Sequence, residues 1–152
     1  MIGAHAGATI IPLPSQATPH PLTFADARDA DRFHTRVQEA GIRVLEAKGG
    51  KGTATLSMAF AAARFAHSLM RASRSPEERV IECAFVRSDS APAGVSFFSN
   101  PLLLAPSGVA RNLGTGPLSP DEEARLNASL PQLRREIDKG IAFAKAFLAN
   151  HK

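Results

Sequence analysis

Hydrophobic and polar positions change rhythm several times along this chain, and each change predicts an element. Residues 8–11, "ATII", are an apolar run closed by Pro12, as expected of a brief buried strand. Residues 14–23 are Pro-rich and read as extended. From Thr23 or Phe24 onward, apolar positions recur at steps of three and four: Phe24, Ala27, Ala30, Phe33, Val37 and Ala40. That is one stripe of a helix. Gly41 interrupts it, "IRVLEAK" resumes it, and "GGKG" ends it. Residues 53–72, "TATLSMAFAAARFAHSLMRA", are Ala-rich and contain no Gly or Pro. Apolar residues cover most of this helix's circumference, so burial on more than one side is expected. A charged turn, "SRSPEER", precedes the strand "VIECAFV". "GVSFFSNPLLLAPSG" is then a further strand, or a pair turning near residues 106–108. The last helix opens on a capping box, Ser119 with Glu122, and carries Pro120 in its first turn. Leu126, Leu130, Leu133, Ile137, Ile141 and Leu148 line one face, and Pro131 is expected to kink it. Asp121, Glu122 and Glu123 near its start, with Lys139 and Lys145 further on, suit the helix dipole.

Strands and helices mix here without regular alternation, which predicts an α+β fold in one domain, residues 1–152. A chain of 152 residues, 44% hydrophobic and 21% charged, can bury a core without staples. Cys83 is the only cysteine, so neither a disulfide framework nor a Cys-based zinc site is available. A reduced intracellular setting is expected. The net charge of +4 would fit a nucleic-acid binder, but Trp and Tyr are absent and 18 cations are scattered among 14 acids. We read that charge as a solvated surface, with no nucleic-acid partner. The opening segment lacks a basic n-region, and Pro12, Pro14, Pro19 and Pro21 break any apolar helix, so it is not read as a secretory signal. No apolar run is long enough to predict a membrane span.

Few residues carry chemistry. His5 lies in "GAHAG", where small neighbours let backbone or ligand approach the imidazole. A neutral histidine there can exchange a proton near pH 7, although spacing alone favours a hydrogen-bonded structural role. "GGKGTA" could present N–H groups to an anion, but it lacks the P-loop spacing and reads as a helix-entry turn. The dinucleotide fingerprint GxGxxG is absent. His20, His34, His67 and His151 show no metal-ligand spacing, and no metal is expected. Cys83 lies in an apolar strand and reads as inert, and Met58 reads as core filling.

Several segments together go further. "IGAHAGATIIPLPSQ", "GGKGTATLSMAFAAARF", "VIECAFV" and "FFSNPLLL" resemble, in order and spacing, the second half of malate dehydrogenases of the mitochondrial and bacterial type. The resemblance covers essentially the whole chain. It implies the C-terminal substrate domain of the lactate/malate dehydrogenase type, mainly antiparallel sheet packed with long helices. It implies NAD as cofactor, malate and oxaloacetate as substrates, a homodimeric enzyme, and a mitochondrial matrix or cytoplasmic location. His5 would be the proton acceptor and donor, Met58 would pack near the nicotinamide, and Ala54 would line the substrate pocket.

Ala4 and Ala6 stand where the family usually has Gly and Ser, Lys51 replaces a small residue, and Pro131 enters a normally continuous helix. The resemblance also implies that the NAD-binding half lies outside this sequence. With it go the pyrophosphate loop, the ribose-selecting acid, the substrate-clamping arginines and the aspartate that orients the histidine. The chain alone is therefore expected to be inactive. The uncharged segment 1–22 and the helix 53–72 are expected to be surfaces left uncovered. The alternatives are another 2-hydroxy acid as substrate, such as lactate, or a non-enzymatic remnant that binds a partner.

Overall fold

A computed structural model describes residues 1–5, 7–75, 77–92 and 94–151. The chain opens with two very short strands, β1 (Ile2–Gly3) and β2 (Ile10–Ile11), joined through a 3-10 turn at Gly7–Thr9. They pair antiparallel, with Ile2 opposite Ile11 and Gly3 opposite Ile10. After a second 3-10 turn (Pro14–Gln16) come α1 (Ala27–Gln38), α2 (Ala40–Ala47) and α3 (Thr55–Arg74). The hairpin strands β3 (Val80–Arg87) and β4 (Phe97–Ala105) follow, then β5 (Gly108–Asn112) and the long α4 (Pro120–Asn150). The fold is α+β, as the pattern predicts. Its sheet is antiparallel throughout, in the order β2-β1-β4-β3. β3 pairs along β4 from Phe97 to Leu104. β4's other edge is shared: Ser99 meets Gly3 of β1, and Leu102 to Ala105 meet β5.

Period-two alternation in β3 and β4 divides the sheet's faces. Val80 and Glu82 of β3 and Phe98, Asn100, Leu102 and Leu104 of β4 are buried, whereas Ile81, Cys83 and Phe85 are exposed. Two clusters form the core. Phe98 joins Ile2, Ile11, Leu13 and the α4 residues Leu126 and Leu133. Ala72 of α3 joins Val80, Leu102 and Leu104.

The capping box forms as expected: Glu122 N–H donates to the Ser119 hydroxyl, and the Glu122 carboxylate accepts from Ser119 N–H. Glu122 does more than cap. Both the backbone N–H and the hydroxyl of Ser15 donate to it, at 3.0 and 2.6 Å. One carboxylate therefore ties the N-terminal segment to the start of α4.

Several expectations are corrected. The predicted strand 8–11 shrinks to β2, because Thr9 is taken into the 3-10 turn. Its partner β1 carries too few residues to show a period. α1 starts at Ala27, where the Asp26 side chain accepts from Asp29 N–H. Its one buried residue is His34, outside the apolar stripe. α4 continues through Pro131, but its stripe loses cover beyond Ile141, and Leu148 is exposed. Cys83 stands on the open face of β3. Much of the uncharged opening segment is covered by this chain itself, since Ile2, Gly3, Thr9 and residues 11–14 are buried.

The largest correction concerns α3. Its apolar pattern predicts burial on more than one side, whereas the resemblance predicts an uncovered surface, and the structure agrees with the second: its only buried residues are Ser68 and Ala72. Leu56 is 83% exposed and Phe60 73%. Polar contacts tether the helix instead. Arg64 donates two hydrogen bonds to the buried Glu82 carboxylate, at 2.7 and 2.9 Å, and the Ser68 hydroxyl adds a third at 2.7 Å. Burial alone would raise the Glu82 pKa, but the Ser68 hydroxyl and the Arg64 guanidinium outweigh it and hold the group below the usual carboxylate range.

Candidate functional site

Gly3 is the residue on which the His5 turn depends. Its φ is +99°, and a Cβ there would lie 2.0 Å from the Thr9 carbonyl oxygen. Only glycine permits that approach. The turn is closed by Ala4 N–H donating to the same carbonyl at 2.8 Å. β1 is held in turn between β2 and β4. His5 therefore projects from a short loop whose base is locked into the sheet. Its ring is exposed and makes no hydrogen bond to the described residues.

Beside His5 runs a largely apolar groove of about 680 Å³. Ala4 and Thr9 form its His5 end, Phe85 and Phe97 its sheet wall, and Leu133 and Ile137 its α4 wall. The two phenyl rings stack with centroids 6.1 Å apart. A proton-exchanging imidazole at the rim of an apolar groove can move a proton to or from a bound hydroxyl or carbonyl. No second titratable group orients the ring among the described residues.

The other sequence-predicted residues sit elsewhere. Ala54 is the residue before α3 and is half-buried, and Met58 lies in the helix's first turn, 55% exposed. Neither lines the His5 groove. The structure gives His5, Ala54 and Met58 exposed or partly exposed positions but does not enclose them in one cavity. Met58 is not core filling, since more than half its surface faces solvent. The Gly-rich turn 49–52 joins helix α2 to helix α3 and is not the strand-to-helix turn of a phosphate cradle. No group of three or more His, Cys, Asp or Glu residues that could hold a metal ion occurs among the described residues. No described helix is long and apolar enough to cross a membrane.

Sequence reasoning missed the groove's aromatic wall and the two carboxylate anchors. Phe85 and Phe97 came from different strands, and nothing local announced that they would stack. Glu82 did leave a signal. It is a lone acid in "VIECAFV", at the same parity as Val80, Ala84 and Val86. An acid on the buried face of a strand requires a partner.

Comparison with known proteins agrees with this architecture. Residues 1–144 match the family described as lactate/malate dehydrogenase, alpha/beta C-terminal domain. The mitochondrial malate dehydrogenase of Caenorhabditis elegans is 46% identical over 145 residues, covering 95% of this chain and 41% of that protein. The mitochondrial malate dehydrogenase of Felis catus is 48% identical over the same shares. This chain thus spans about two-fifths of the length of these relatives. Among solved structures, malate dehydrogenase from Picrophilus torridus in its apo form superposes with a TM-score of 0.71 at 16% identity, over 99% of this chain and 46% of that one. The Salinibacter ruber malate dehydrogenase gives 0.68 at 20% identity, over 95% of this chain and 46% of that one. The order of strands, the long capped terminal helix and the His5 loop thus belong to a recognised domain, and the chain is a member of the lactate/malate dehydrogenase α/β C-terminal domain family.

Proposed function

We propose that this chain is the substrate-side domain, residues 1–152, of an NAD-dependent malate dehydrogenase that interconverts malate and oxaloacetate. The observation that carries the reading is the exposed imidazole of His5, without a hydrogen-bond partner among the described residues and held by the Gly3 turn at the rim of an apolar groove. In malate oxidation the His5 imidazole takes the proton from the C2 hydroxyl, and in the reverse direction it returns that proton to the oxaloacetate carbonyl oxygen. The nicotinamide cofactor, when bound, supplies the acceptor for the hydride leaving the same carbon. Met58, exposed on the first turn of α3, would lie against the nicotinamide, and Ala54 beside the substrate.

His5 and Met58 would face the nicotinamide end of such a cofactor, and the described residues include no glycine-rich strand-to-helix turn for its pyrophosphate. Cationic clamps for the two substrate carboxylates and a carboxylate to orient His5 would come from a second, NAD-binding domain. The isolated chain is accordingly proposed to be inactive. The whole enzyme is proposed to be a homodimer, with α3's uncovered apolar face part of its contacts. The Caenorhabditis elegans and Felis catus relatives are mitochondrial, and the reading carries with it an intracellular setting, either the mitochondrial matrix or the cytoplasm.

The test uses an enzyme completed by joining this chain to an NAD-binding half. Replacing His5→Asn is expected to lower turnover roughly a hundredfold or more, with NAD affinity and melting temperature little changed. Turnover near the parent value would return His5 to a structural role.

A further inference from the structure

α1 and α2 are lightly held. α1 packs on β2 and α2, with the Gln38 side-chain amide donating to the Ile10 carbonyl at 2.9 Å. α2 buries no residue, and α1 buries one, His34. A charged bridge joins α1 to α4. The Arg125 guanidinium donates to Asp31 of α1 and to Asp121 of its own helix.

His34 lies beside this bridge. It is 1% exposed, and neither ring nitrogen has a hydrogen-bond partner among the described residues. Its Nε2 is 3.7 Å from the nearer Asp121 oxygen. A neutral imidazole leaves one donor and one acceptor unpaired there, and an imidazolium would carry two donors without a hydrogen-bond acceptor, with Asp121 in ion-pair range only.

The charged groups facing His34 are Asp31 from α1 and Asp121, Glu122 and Arg125 from α4. Burial and the Arg125 charge push its pKa below the ordinary histidine value, while the three acids oppose them. Those acids are already engaged. Asp31 and Asp121 hold Arg125, and Glu122 holds Ser15 and Ser119. The nearest of them, Asp121, lies beyond hydrogen-bond reach of the His34 ring and is 53% exposed, so its solvent-screened charge offsets only part of the cost of a buried imidazolium.

We propose that His34 is the proton-sensitive latch of an α1–α2 flap, residues 27–47. With His34 neutral, the flap rests on β2 and α4. Protonation puts a charge on a ring that is 1% exposed and beyond hydrogen-bond reach of its nearest acid, and the flap lifts. The sign follows from linkage. The closed flap holds His34 below its ordinary value, so the open state binds more protons between the two values. Closure is complete above about pH 6.5, the ordinary histidine value, and is lost as pH falls from there toward the depressed one.

Hydrogen exchange read by mass spectrometry on the 152-residue chain, corrected for intrinsic rates, tests this between about pH 7.5 and about pH 5.5, either side of the ordinary histidine value. Protection of residues 27–47 is expected to fall by up to about tenfold per pH unit across the sensitive range, while β3, β4 and the first half of α4 hold theirs. In His34→Leu, which keeps an apolar side chain but cannot take a proton, the flap's protection is expected to become pH-independent. An equal acid loss in wild type and His34→Leu would overturn the proposal. A second measurement needs no variant: nuclear magnetic resonance titration of the His34 ring. A midpoint below about 6.5 is expected, and one at or above it would overturn the latch.

Discussion

α3 and the first half of α4 are both long helices with many apolar residues, yet their fates in this chain are opposite. α4 seats Leu126 and Leu133 in a cluster with Ile2, Ile11, Leu13 and Phe98. α3 buries only Ser68 and Ala72 and turns Leu56, Met58 and Phe60 to solvent. Each is pinned by a buried carboxylate, Glu122 for α4 and Glu82 for α3, so polar anchoring does not separate them. What separates them is apolar contact within the domain. One side of the molecule is closed by its own core. Left outside that core are most of α3, which packs on the Val80–Glu82 face of the sheet, the opposite face of β3, and the far half of α4, where the Phe143 and Phe147 rings stack in solvent with centroids 6.5 Å apart. The His5 groove takes in the exposed face of β3, with Phe85 and Phe97 as its sheet wall. Apolar residues thus serve two purposes in this chain, holding the domain together and presenting a surface to something beyond it.

If the closed side alone holds the domain, damage there should cost the most. Phe98 is fully buried between β4 and α4. Phe98→Ala is expected to destabilise the chain by about 3–5 kcal/mol in denaturant melts. A loss under about 1 kcal/mol would mean that the Phe98 cluster is not the chain's main core.

The carboxylate anchors come next. Glu122→Ala removes the acceptor for Ser15 and Ser119 and is expected to cost about 1–3 kcal/mol, from donors left unpaired. The anchors also set an acid limit. Burial would raise the Glu122 pKa, but the hydrogen bonds from Ser15 and Ser119 lower it overall. Glu82 is lowered in the same way. A carboxylate depressed in the folded state contributes stability above its unfolded value, about 4.3, and loses it as pH falls through the folded value. Melting temperature should therefore drop below about pH 4, and this acid limb should be shallower in Glu122→Ala. An identical limb in both proteins would show that Glu122 has no part in it.

The smallest change in stability is expected on the open side, together with a clear change in association. Exposed apolar patches of this kind drive self-association. Sedimentation of the wild-type chain should shift with concentration, and Leu56→Ser with Phe60→Ser should reduce that shift while altering stability by only about 0.5 kcal/mol each. A wild-type chain that stays monomeric at high concentration would erase the distinction between the two helices.

Much of the local structure was legible beforehand, for reasons confined to a few neighbouring residues. Ser119, Pro120 and Glu122 carry a helix start within four positions, and Gly49, Gly50 and Gly52 end one helix and admit the next. β3 and β4 announce themselves by composition, and the ordered blocks from "GAHAG" to "FFSNPLLL" carry the family resemblance and single out His5. Tertiary structure decided what depends on distant residues. β1 and β2 are two residues each, below any readable period, and exist because β4 gives β1 an edge and β1 gives one to β2. Glu122's second role rests on Ser15, 107 residues away. The burial of His34 was equally beyond reach. A sequence shows that a side chain is apolar or titratable, but whether it meets solvent, a neighbouring helix or another surface depends on where the rest of the chain folds.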